Sequence, residues 1–78
     1  MSITPELCDE LNILMMFDLS TTQTGIKVHS DAAPNVIAAA SRLFDKGLLT
    51  QADGGYLTSL GFEAAEQLQS AVQILTSD

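Results

Sequence analysis

The 78 residues predict an α+β fold of three main helices, a short strand and a β-hairpin in the C-terminal half, and three observations carry that expectation. Apolar residues recur at helical spacing in three stretches, near residues 7–15, 36–44 and 60–75. A glycine pair, Gly54-Gly55, stands between two short leucine-bearing segments, as a hairpin requires. Between the first two helical stretches, Ile26-Lys27-Val28-His29 alternates apolar and polar, as in a half-buried strand. A chain this short makes one domain, residues 1–78, and buries only about 60% of the surface its unfolded form exposes, so its margin of stability is thin. Apolar residues at 46% and charged residues at 17% favour a packed core over disorder.

Thr4 caps the first helix, with Pro5 at the first helical position, where no amide donor is needed, and Glu6, Asp9 and Glu10 toward the positive end of the dipole. Leu7, Cys8, Leu11, Leu14 and Met15 share the expected core face, which makes Cys8 a buried, inert thiol. Ile13, Met16 and Phe17 fall on the other side, among acids. They need either a second cover within the subunit or a symmetric contact with another copy. Residues 18–25, DLSTTQTG, read as a connection. Ser30 or Asp31 starts the second helix, Pro34 is tolerated in its first turn, and Val36, Ile37, Ala40, Leu43 and Phe44 form its buried stripe. Gly47 ends it, a left-handed residue that lets Leu48 fold back on Leu43. Parity decides the hairpin, because a three-residue loop, Asp53-Gly54-Gly55, puts Leu49 and Leu57 on one face and a two-residue turn does not. Thr58 then caps a final helix whose stripe is Leu60, Gly61, Ala64, Ala65, Leu68, Ala71, Val72 and Leu75.

This order of elements, with RLFDKGLL leading into GGYLTSLG, resembles the winged-helix domains of MarR-like and PadR-like regulators, most closely over residues 34–61. Through GIKVHSDAAPNVIAAASRLFDKGLL the chain also looks like a family of small, uncharacterised bacterial proteins, a likeness that implies no activity. The winged-helix resemblance implies that the helix of residues 34–46 enters a major groove, presenting Asn35, Ala38, Ala39, Ser41 and Arg42. Arg42 would then read guanine and Asn35 adenine, with Lys27 and Lys46 as further cations. Winged-helix domains place two helices between the first strand and the wing, whereas only one fits between Lys27 and Gly47. Either residues 20–25 supply the other in reduced form, or the helix-turn-helix is incomplete.

Charge weighs against a grip on nucleic acid. Net charge is −7, from ten acids against Lys27, Arg42 and Lys46. All three cations lie in residues 20–50, the only part suited to face a phosphate, whereas proteins that hold DNA well neutralise about 6 to 10 phosphates. The tip QADGG carries no cation, and Arg42 and Lys46 read more readily as solvated charges beside a core stripe than as DNA contacts. His29 beside Asp31, with one remote cysteine, lacks a metal-ligand set, and no catalytic group, cofactor site or small-molecule substrate site stands out. The longest apolar run, Ile13–Phe17, is far shorter than the roughly 20 residues that span a bilayer, and no basic leader is visible, so a cytoplasmic location is expected. The expectation is a non-catalytic regulatory or protein-interaction module, homodimeric through Ile13, Met16 and Phe17 or bound to another protein, with weak or no DNA binding. The alternative is a dimeric DNA-binding transcription regulator contacting nucleic acid through Lys27, Asn35, Ser41, Arg42 and Lys46.

Overall fold

The computed structural model describes residues 2–21 and 23–77. Its elements run α1 (Pro5–Leu14), β1 (Ile26–Lys27), α2 (Pro34–Asp45), β2 (Leu49–Gln51), β3 (Gly54–Leu57) and α3 (Ser59–Thr76). The strands form one antiparallel sheet in the order β1-β3-β2, which completes an α+β architecture. Among the described residues no helix is long and apolar enough to cross a membrane.

Local chemistry sets the ends of the helices. Thr4 Oγ1 accepts the Leu7 N–H at 3.1 Å and Pro5 opens α1. Gly47, at φ 81°, ends α2, with the Leu48 N–H donating to the Leu43 carbonyl at 2.9 Å and the Gly47 N–H to the Phe44 carbonyl at 3.0 Å. That pair of bonds is the Schellman ending the glycine predicts. The Thr58 hydroxyl accepts the Gly61 N–H at 3.0 Å and donates to the Gly47 carbonyl at 2.6 Å, so one side chain starts α3 and fastens it to the end of α2. Gly61 lies so close to the residue before β2 that an added Cβ would collide with the Leu48 carbonyl oxygen.

Three local expectations change. Helix α2 begins at Pro34, after Ser30 and Asp31, because residues 29–32 close a turn of their own, with the Ala32 N–H donating to the His29 carbonyl at 3.0 Å. The hairpin does pair Leu49 with Leu57, as parity requires, but Gln51 pairs with Gly54 across a two-residue turn, Ala52-Asp53. The extra residue falls inside β3 as a bulge, where the Tyr56 N–H donates to Thr50 Oγ1 at 2.9 Å. In the connection, residues 20, 21 and 23–25 form no helix, and Thr22 lies outside the described residues.

The core joins Ile13, Leu14 and Phe17 from the α1 region, Val28 after β1, Ala39, Ala40 and Leu43 from α2, Leu49 from β2 and Ala65 from α3. Both of the first two helices are therefore rotated from the expected orientation. In α1, Cys8 and Met15 are exposed, Leu7 and Leu11 are half-buried, and the inward face is Glu10, Ile13, Leu14 and Phe17. In α2, Ile37 and Phe44 are exposed, while Ala39 is fully buried. The physical reason is that α1 and α2 pack directly on each other, with Ala39 and Ala40 permitting a close approach. The proposed self-association surface is corrected accordingly: Ile13 and Phe17 are covered within the subunit, and of that set Met16 alone, 59% accessible, faces solvent.

Candidate nucleic-acid interface

The polar residues that a DNA-reading α2 would present project from the face that α1 covers. Arg42 Nε donates to Glu10 Oε2 at 2.9 Å, its Nη2 donates to the Glu6 carbonyl at 3.0 Å, and Lys46 Nζ pairs with Glu10 Oε1. Asn35 Nδ2 donates to Asp9 Oδ1 at 3.1 Å. Arg42 and Lys46 stand one helical turn apart, so both reach a single carboxylate on the facing helix. Asn35, Arg42 and Lys46 are thus brought together, but onto α1. Ser41 is half-buried on the same helix and Ala39 is sealed in the core, so of the expected reading surface only Asn35 and Ala38 lie exposed.

Lys27 lies apart from these, exposed on β1. It lines an open cleft with Gln51, Asp53 and Tyr56. Among the described residues only Arg42 and Lys46 form ion pairs with carboxylates. Neither is an ordinary solvated charge beside a core stripe, as the simpler reading of the sequence had it.

Glu10 is the residue that the sequence reading missed. Its side chain is 6% accessible, against 34% for Arg42 and 51% for Lys46. Burial alone raises its pKa, but hydrogen bonds from Lys46 and Arg42 and their positive charges outweigh that and hold the carboxyl below the ordinary glutamate range. The signal was present in the spacing. Glu10, Ile13, Leu14 and Phe17 follow the i, i+3, i+4, i+7 pattern of one helical face, and two cations four residues apart wait on the partner helix. Gln69 was also missed; its Nε2 donates to the Leu14 and Phe17 carbonyls at 3.1 and 3.0 Å and satisfies the open end of α1 from α3. No three His, Cys, Asp or Glu side chains gather into a metal-binding group among the described residues.

These features define a small α+β domain whose second helix is locked to its first by a shared buried carboxylate. The chain belongs to a family of unknown function (DUF5669), whose model matches residues 1–76. Comparison with curated proteins and with solved structures returns no match.

Proposed function

We propose that this chain is a non-catalytic regulatory or protein-interaction module on a winged-helix-like frame, homodimeric and cytoplasmic, with weak or no DNA binding of its own. The observation that carries the reading is the capture of Arg42 and Lys46 by Glu10, which leaves Lys27 as the one cation not held by an acid among the described residues. Phosphate contacts supply most nonspecific DNA affinity, and binders of ordinary strength make about 6 to 10 of them. Two copies of this chain would bring one such lysine each.

The element order favours a second reading, a dimeric DNA-binding transcription regulator using α2 and the hairpin. A salt titration with mixed duplex DNA separates the two. We expect no binding at about 50 mM salt, where phosphate contacts are strongest. Binding that weakens as salt rises and disappears in Lys27→Glu would replace the first reading by the second. Arg42→Glu is unsuited to this purpose, because it sets a second carboxylate against Glu10 and disturbs the fold itself.

A further inference from the structure

The outer seam between α1 and α3 combines apolar surface with an absence of charge. An open groove there is lined by Cys8, Leu11, Asn12, Met15, Leu68 and Val72. Beyond it, the last turns of α3 expose Ile74 at 71% and Leu75 at 82%. Two acids of α1 are engaged elsewhere, Glu10 by Arg42 and Lys46 and Asp9 by Asn35, and the third, Glu6, is not among the residues that line the groove. Residues 67–76 of α3 contain no Asp, Glu, Lys or Arg. In a chain of net charge −7, none of the residues lining this groove, nor Ile74 and Leu75 beyond it, carries a formal charge.

That neutrality selects the occupant. A basic partner would be held by acids at the contact, and among the described residues the seam offers none, whereas two acidic chains repel through every face except one like this. A neutral apolar strip is also complementary to itself, which is what a two-fold contact requires. We propose that a second copy of this chain docks on the seam, with Leu75 and Ile74 of each protomer entering the groove of the other beside Met15 and Val72. This rests on the homodimeric reading above and names its surface. Two adjacent helices with roughly 16 Å of shared length and about 20 Å of combined width cover about 320 Å² per protomer, below the roughly 800 Å² per partner of a standard interface, so a weak contact with a dissociation constant on the order of 100 μM is expected.

Sedimentation from about 10 μM to about 1 mM brackets that affinity. Three proteins are compared, the native chain, Leu75→Glu and Met16→Asp, each checked for folding by circular dichroism. Leu75 is already in water, so its substitution spares the core. The expected result is a native dimer, at least about a hundredfold weaker in Leu75→Glu because each substitution counts twice across a two-fold axis, and unchanged in Met16→Asp. Exposed Cys8 gives an independent readout at the groove. Its alkylation slows as native protein concentration rises, and does not slow in Leu75→Glu. A native dimer that Leu75→Glu leaves intact, with Cys8 unprotected, overturns this surface while the homodimeric reading stands. A native monomer throughout the range overturns both. If that monomer binds an apolar dye in a way that Leu75→Glu abolishes, the seam receives a small apolar ligand and not a second copy.

Discussion

Glu10 concentrates the physics of this fold into one side chain. A carboxylate taken from water persists as an anion only where paired, and here two cations from the facing helix supply the pairing. Glu10→Gln is expected to lower unfolding stability by about 1–3 kcal/mol, toward the lower figure because Arg42 and Lys46 are partly exposed and rehydrate. The pH dependence follows from the depressed folded pKa. The contribution is fully present above the unfolded value, near 4.3, and is lost as pH falls through the lower folded value. The gap between native chain and Glu10→Gln in urea titrations should therefore be constant from about pH 7 to about pH 5 and close below about pH 4. A gap that persisted at pH 2 would mean that Glu10 stabilises by packing and not by charge. Ordinary residue statistics place glutamate outside, and that is why the i, i+3, i+4, i+7 face through Glu10 was passed over.

The joints between helices and hairpin rest on glycines with different duties. At Gly47 nothing lies within 4 Å of an added Cβ, so Gly47→Ala meets only the left-handed backbone cost of about 1–2 kcal/mol. At Gly61 the added atom would collide with the Leu48 carbonyl, so α3 must move off β2 and the cost of Gly61→Ala should exceed about 3 kcal/mol. Denaturant midpoints of the two variants, in that order, check the assignment. Ala39→Glu separates the two faces of α2 more sharply. Ala39 is sealed in the core among the residues that join α1, α2 and the sheet, so the variant should lose its cooperative unfolding transition. A DNA-facing Ala39 would tolerate the change and leave the melt intact. Capping and turn chemistry made Thr4, Gly47, Thr58 and the Leu49–Leu57 pairing readable, because each is decided by a few neighbouring residues. The hairpin bulge was not readable, since the glycine pair fits either a longer loop or an irregular strand, and the Thr50 hydroxyl settles the choice.

Charge across the molecule distinguishes the competing uses of this domain. A net −7 chain repels itself both within one subunit and between subunits. Raising salt from about 10 mM to about 300 mM shortens the screening length from about 30 Å to well under 10 Å. It should therefore raise the melting temperature, since the general repulsion exceeds what is lost at the shielded Glu10 pair. The same change should tighten a homodimer formed through an uncharged seam and weaken any contact with DNA. The sign of the salt effect on association, measured by sedimentation and by duplex titration in parallel, thus identifies the partner class. A melting temperature that falls with salt would show that attractive pairs, and not self-repulsion, dominate the electrostatics.

Composition, spacing and caps were enough to determine the α+β class, the helix caps at Thr4, Gly47 and Thr58 and which leucines oppose one another. These properties are local, set by backbone geometry within a few residues of the signal. The rotation of α1 and α2 toward each other was a matter for the folded chain, as were the burial of Glu10, the pairing of Arg42 and Lys46 with it and the exposure of Cys8 and Leu75. A helix's sequence offers several apolar faces, and the one that turns inward depends on the neighbour it meets; here that neighbour brings two cations and two alanines to a carboxylate.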